Sequence, residues 1–381
     1  MQDSVNTLYT CSLLVILYGR ALDAYLVVTL ALRPLGLVPS LIVACSAAAW
    51  AQSVPAKDSL RIVLVGDLNF ARSLARDYIF AGRGSEVLAG VRERLRAADI
   101  AVGNLESIIL DRGRQADTTN SPVFAGPLES LELIRDAGFD VLGTANNHAW
   151  DFGRAGLLES LTHLDSAGFL HTGTGATLGD ALRPVVVRKN GWTVAFFSLT
   201  AIFNYPDLTV IGHAAECCVA WADTTLMASR FRTVRDSVGA DLVIAFVHAG
   251  PVEYRSRPHP TVVQLFRALA RAGADAVIGH HPHVPQGLEY VDGRPVLYSL
   301  GNFVFKQRQR YTDWGLWAQL SLAPDGTRRL DVLPLVVGYT PRFAAGADSA
   351  AIMAHFTDIS DRLARLPNVR PRRNVARPRR D

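Results

Sequence analysis

Six polar segments along the chain each follow a short apolar run, and their residue types suit one chemistry. Asp67 follows Ile62–Gly66, and Asn104-Leu105-Glu106 follows Ile100–Gly103. Asn146-Asn147-His148 with Asp151 follows Val141–Ala145, and His248 follows Val243–Val247. His280-His281-Pro282-His283 follows Ala276–Gly279, and Asn302 follows Val296–Gly301. Carboxylates neutralise a divalent cation and can bridge two, while imidazoles suit Mn, Fe or Zn. A His-x-His pair such as His281 and His283 can aim alternate side chains from one turn at neighbouring ions. Five of the ten histidines fall in these segments, a concentration that scattered core histidines would not produce.

The apolar runs have the length and β-branched content of buried strands, and between them lie stretches of helical period. Strands are expected at 61–65, 100–102, 141–143, 192–199, 242–247, 276–278 and 295–299. Helices are expected at 85–97, 128–137, 154–167 and 262–272. Leu157, Leu158, Leu161 and Leu164 trace one apolar helix face. Ala137-Gly138, Ala167-Gly168 and Ala272-Gly273 supply C-terminal stops. Alternating strand and helix predicts an α/β fold with a largely parallel sheet, to which 316–322 and 328–337 add antiparallel strands. The polar groups then lie at strand C-terminal ends, where open α/β sheets collect ligands.

Several longer motifs carry a family resemblance. Gly66-Asp67 with Arg72, Asn104-Leu105-Glu106, and Asn146-Asn147-His148-Ala149-Trp150-Asp151-Phe152-Gly153 come first. They are followed by His248-Ala249-Gly250 with Glu253-Tyr254, by Gly279–Val284 (GHHPHV), and by Tyr298–Phe303 (YSLGNF). In order and spacing these resemble the CapA family of capsule synthesis proteins, whose fold is similar to that of calcineurin-like metallophosphatases. The resemblance implies a metallophosphatase-like layered α/β sandwich. It implies one or two divalent ions held by Asp67, Glu106, Asn147, His248, His281 and His283, with His148 as general acid and Arg72 gripping a substrate anion. Asn104, Asp151, Glu253, Tyr254, His280 and Asn302 fall to supporting or substrate-lining roles. The first motif reads Asp67-Leu68-Asn69, where metallophosphatases carry Asp-x-His, so one of the two metal positions is depleted of a ligand.

Two bland readings stand beside these. Asp67 could cap a helix after its strand, and Glu253 with Tyr254 could be a surface ion pair and a core ring. The family's role implies an anionic polymer such as poly-γ-glutamate as partner, together with membrane-bound capsule synthesis proteins. A metal-dependent hydrolase acting on that polymer or its precursor is the first functional expectation. A non-catalytic polymer-binding accessory and a general periplasmic phosphoesterase are the alternatives.

The 381-residue chain is 49% apolar and 19% charged, a globular composition. Its net charge of +4 owes much to the end 368–381, which holds six arginines and one aspartate, so a basic face for nucleic acid is not indicated. The sequence divides into an export segment (1–55), the main domain (58–340), a helical extension (341–367) and a basic disordered tail (368–381). Within the first, Arg33–Ala51 combines a positive charge, an apolar run and a small-x-small end, the pattern of a secretory signal. Cys45 offers lipidation as an alternative, and Ser12–Leu32, broken by Arg20 and Asp23, is a poor membrane span. An extracytoplasmic location, with a possible lipid or membrane anchor, is expected. Cys11, Cys45, Cys217 and Cys218 form neither a disulfide framework nor a zinc-knuckle spacing.

Overall fold

In the computed structural model the described residues are 13–18, 25–30, 57–111, 123–204 and 218–367. The chain divides into two units, Met1–Pro55 and Ala56–Asp381. In the first, β1 (Leu13–Tyr18) and β2 (Tyr25–Leu30) pair antiparallel. The expected signal Arg33–Ala51, with Cys45, and the basic tail 368–381 lie outside the described residues. Among those residues no helix is long and apolar enough to cross a membrane.

The second unit carries two mixed sheets, each parallel at its centre. The first sheet is built on β3 (Leu60–Leu68), which pairs parallel with β4 (Ile100–Leu105) and with β15 (Asn302–Val304). From β4 it continues parallel to β7 (Val141–Gly143) and β8 (Leu170–Thr172). On its other side β16 (Trp314–Leu322), β17 (Arg328–Val336) and β18 (Arg342–Phe343) add antiparallel strands. In the second sheet β10 (Trp192–Thr200), β11 (Leu242–His248), β12 (Ala276–His280) and β14 (Arg294–Leu297) run parallel. Its edges are the antiparallel β9 (Val185–Lys189) and β13 (Leu288–Val291). A small parallel pair, β5 (Ile108–Ile109) with β6 (Ala125–Gly126), follows β4.

Strand periodicity explains how the layers stack. Ile62, Leu64, Ile100 and Val102 share one buried cluster with Val194, Phe196, Ile244 and Ile278, so the two sheets pack face to face. The alternate residues Val63, Val65 and Ala101 meet Leu131 and Ile134 of the helix Glu129–Ala137 on the outer side. Ala195, Phe197, Val243 and Ala245 likewise meet Phe231 and Phe266 of the helices Thr224–Val238 and Pro260–Ala272. The result is a helix–sheet–sheet–helix sandwich, the layered α/β architecture the sequence predicts. Central strands are apolar on both faces because both faces are covered.

Most expected elements form within a few residues of their sequence bounds. The exception is 85–97, read as one helix. The chain there makes a short 3-10 turn at Gly84–Glu86 and a single helical turn at Arg92–Arg96. Gly90 explains the break, since a Cβ there would stand 2.7 Å from Pro341 O and the segment packs against the backbone of the C-terminal strand region. Within 341–367 the chain forms β18 and the helix Gly346–Ala364, whose Ile352, Phe356, Ile359 and Leu363 pack into the cores of the second unit.

Candidate metal centre

The strand register sets the site out in two facing rows. In the first sheet Asn302, Asp67 and Asn104 are direct neighbours across β15, β3 and β4. In the second, Thr200, His248 and His280 are neighbours across β10, β11 and β12. The single polar edge inferred from sequence is therefore two edges, one per sheet, brought together by the sandwich.

Two glycines let the segment 298–302 lie against these strand ends. A Cβ on Gly66 would meet Gly301 O at 2.0 Å, and one on Gly279 would meet Tyr298 O at 1.9 Å. No side chain fits at either place, which gives the Gly-Asp and Gly-His-His motifs a steric reason. Beyond the strand ends the backbone is strained at the residues that matter. Arg72, Tyr254, His281 and His283 have φ of 59°, 60°, 101° and 59°, in a left-handed region that non-glycine residues rarely occupy. Such strain collects where a site fixes side-chain direction at the expense of local comfort.

Glu106 lies at the centre. It is 0% exposed, and neither carboxylate oxygen has a hydrogen-bond partner. Its Oε1 stands 3.7 Å from His248 Nε2, 3.7 Å from His283 Nε2 and 4.0 Å from His148 Nε2. An ionised carboxylate buried without a donor is costly, and a cation placed among these atoms would remove the cost. The ligand atoms of Asp67, Glu106 and His283 lie within 4.8 Å of one another, as do those of Glu253, His281 and His283. The donor set of carboxylate oxygen and imidazole nitrogen fits a divalent transition metal.

The surrounding amides orient these groups. Asn104 Nδ2 donates to Asp67 Oδ1 at 2.8 Å and approaches His248 Nδ1 at 3.3 Å. His248 Nδ1 is thus the accepting nitrogen, and Nε2 donates to Asn147 Oδ1 at 2.7 Å. Asn302 Oδ1 accepts from His283 Nδ1 at 3.0 Å, which leaves His283 Nε2 facing Glu106. His148 Nδ1 donates to Asp151 Oδ2 at 2.7 Å. His280 is turned away, with Nε2 donating to Val65 O at 3.2 Å. His281 Nε2 is buried without a partner. The sequence-derived candidates other than His280 therefore converge, but unequally. His248 bonds to Asn147 and lies 3.7 Å from Glu106, outside both three-ligand groups, whereas Glu253, expected in a supporting or substrate-lining role, joins one of them.

Charge states follow from burial and proximity. Burial raises Glu106 well above the ordinary carboxyl value, and the charges of Asp67, Glu253 and Asp151 add to this against the pull of His283. Burial alone would lower His283, yet Glu106 and Asp67 overcome it and push His283 up to about 9. Burial and then the charge of His283 push His281 down to about 4. Burial would raise Asp67, but the bond and charge of His283, the charge of His280 and the Asn104 amide hold it below the ordinary value. The cluster keeps a proton on His283 where a cation would otherwise balance the two carboxylates.

The centre opens into a cleft of about 880 Å³ lined by Arg72, Phe124, His148, Glu253, Tyr254 and His283 among others. Arg72 lies 4.5 Å over the Phe124 ring, and the His148 ring packs 4.1 Å from the same ring. Lys306 and Arg308 add positive charge to the wall, whereas Arg76 is paired with Asp77 at 2.6 Å. Asn69 bends its Oδ1 back to accept from Ala71 N–H at 3.0 Å. One residue escaped the sequence reading. Asn204 Oδ1 accepts from Asn147 Nδ2 at 2.7 Å, and that bond turns the Asn147 carbonyl inward. The signal was present, because Asn204 follows the end of β10 as the other polar segments follow theirs, but three intervening residues hid it.

Comparison with known proteins identifies the family. Residues 61–307 match the family of the bacterial capsule synthesis protein PGA_cap. The chain is 32% identical over 282 residues to the PGA biosynthesis protein CapA of Bacillus subtilis, covering 73% of this chain and 72% of the relative. It is 28% identical over 310 residues to the capsule biosynthesis protein CapA of Bacillus anthracis, covering 78% and 74%. It is also 29% identical over 221 residues to a probable polyglutamine synthesis accessory protein of Mycobacterium tuberculosis, covering 55% and 56%.

Proposed function

The chain belongs to the bacterial capsule synthesis protein PGA_cap family, and from that premise we propose that it is an exported, metal-dependent hydrolase acting on an anionic capsule polymer of the poly-γ-glutamate type or on its precursor. The observation that carries the proposal is Glu106, whose two buried oxygens lack any donor and whose Oε1 faces three imidazole nitrogens.

Asp67, Glu106 and His283 would hold a divalent ion, with Glu253 and His281 as an adjoining pair of ligands that share His283. One imidazole nitrogen serves one ion, so the shared His283 favours a single complete three-ligand group, in keeping with the missing histidine at position 69. Such an ion supplies an acidified water and polarises the bond attacked. The protein's own residues do the rest. Asp151 holds the His148 ring with Nε2 turned toward the centre, where it can give a proton to the departing group. Arg72, fixed over Phe124, presents its guanidinium to a carboxylate or phosphate in the cleft. Lys306 and Arg308, both exposed on the same wall, add attraction for a polymer bearing one charge per repeat.

A non-catalytic role in holding polymer for its synthesis or export machinery is the second reading. The accessory role in the mycobacterial relative's name, together with Asn69, favours it. Metal analysis of the full chain beside a His281→Ala, His283→Ala double variant, followed by chain-length analysis of a γ-linked glutamate oligomer, decides between them. Hydrolysis is expected to need the metal and His148. Metal binding without cleavage would leave the binding role, and absence of metal after supplementation would end the hydrolase reading.

A further inference from the structure

His283 is shared by the two three-ligand groups of the centre, so whatever holds its ring holds both. Two neighbours do so. Asn302 Oδ1 accepts from His283 Nδ1 at 3.0 Å, and the Tyr254 ring stacks on the imidazole with centroids 5.9 Å apart and planes 28° from parallel. They come from separate segments, Asn302 from the start of β15 and Tyr254 from the loop after β11. Gln307 joins them. Its Oε1 accepts from Asn302 Nδ2 at 3.1 Å, and its Nε2 donates to the Tyr254 hydroxyl at 3.1 Å.

The direction of each bond in this bridge is fixed. Asn302 Nδ2 also donates to Thr312 O at 3.1 Å, and a backbone carbonyl can only accept, so the Asn302 amide cannot be turned over. Its oxygen therefore faces His283, and its second N–H faces Gln307 Oε1. Gln307 is left with its NH₂ for Tyr254. The Tyr254 end needs such a tether. Its backbone stands at φ 60°, in the left-handed region, and is tied to the ligand turn by Tyr254 N–H donating to Pro282 O at 2.9 Å. Asn302 and His283 are 1% and 2% exposed, whereas Gln307 and Tyr254 are half-buried on the cleft wall.

We propose that Gln307 is a positioning residue of the metal centre, holding the His283 ring between Asn302 and Tyr254 so that Nε2 stays turned toward Glu106. The inference rests on the metal reading above and adds the residue that joins the two segments around the shared ligand. Without Gln307, Asn302 keeps its bond to Thr312, but the Tyr254 hydroxyl loses its tether. The imidazole then gains freedom that an ion must remove on binding, which weakens the site without emptying the core.

The test is competition titration of Mn²⁺ and, separately, Zn²⁺ against a chelator indicator on the full chain, with thermal unfolding in chelator recorded beside it. The wild type is compared with Gln307→Met, which keeps the side-chain length but neither bond. Tyr254→Phe, which keeps the ring and loses the hydroxyl, and the two substitutions combined complete the set. Gln307→Met is expected to weaken metal binding about tenfold, while unfolding in chelator changes little. In the Tyr254→Phe background the same substitution is expected to cost less, because one arm of the bridge is already gone. Equal affinity in wild type and Gln307→Met overturns the proposal, as do losses that simply add. Destabilisation in chelator with no change in affinity would make Gln307 a packing residue and overturn it too. In each of these cases the wild type still binds its ion, and the metal reading stands. If the wild type takes up neither ion, both fall together.

Discussion

Glu106 Oε1 and His283 Nε2 stand 3.7 Å apart with no hydrogen bond to either Glu106 oxygen, a separation too long for a direct bond and wide enough for a shared ion. Opposite effects on stability and on binding follow from that spacing. Glu106→Gln is expected to leave the metal-free protein as stable as the wild type or more so, by about 1–3 kcal/mol, because a buried carboxyl group without a hydrogen-bond donor is removed. The same variant should lose metal binding and the stabilisation that metal gives the wild type. Thermal unfolding in chelator and in added metal measures both, and a variant destabilised in chelator would contradict the idea.

Metal affinity should depend on pH through His283. Its folded value, up to about 9, lies above the ordinary imidazole range, so below pH 9 the ion must displace a proton from it. Affinity is therefore expected to rise about tenfold per pH unit from pH 7 toward 9, and to level off above that. Protonation of Glu106, also raised by burial, would steepen the lower part of the curve. Competition titrations with a chelator indicator at several pH values would show this, and a flat profile would remove the carboxylate–imidazole centre as the binding site.

Asn204 should act through Asn147. With the Asn204 carbonyl gone, the Asn147 amide is free to turn its NH₂ inward, toward the donor nitrogen of His248. Asn204→Ala is expected to weaken metal binding about 10–100-fold, the usual effect of removing a group that orients a metal site. Asn204→Asp, which still accepts from Asn147, should restore most of the loss. Equal affinities in wild type and Asn204→Ala would show the contact to be incidental.

Gly279 tests the steric basis of the motif. Its Cβ would sit 1.9 Å from Tyr298 O, so Gly279→Ala must push the segment 298–302 away from the sheet. A loss of about 1–3 kcal/mol or more is expected, with metal binding impaired because Asn302 moves from His283. Gly90→Ala, at which a Cβ would meet Pro341 O at 2.7 Å in a segment that carries none of the candidate ligands, is the control. It should destabilise without altering the metal affinity of the folded protein. Chemical denaturation and metal titration of both variants provide the comparison.

The sequence by itself determined the strands, because residues buried on both faces must be apolar over their whole length. It also determined the helix stops, because Gly138, Gly168 and Gly273 adopt a positive φ that other residues resist. It also marked the polar segments from which the family resemblance draws its candidate ligands, because each follows an apolar strand. The helix expected at 85–97 failed because local period says nothing of the close packing at Gly90. Only the tertiary structure divided the strands between two sheets and faced Asp67 and Asn104 toward His248 and His280. Only it showed that Glu106 lacks a donor, that Asn204 joins Asn147, and that His248 bonds Asn147 while Glu253 turns toward His281 and His283. Those are relations between residues far apart in the chain, fixed by which strand edges the sandwich brings together, and neither spacing nor residue type encodes them.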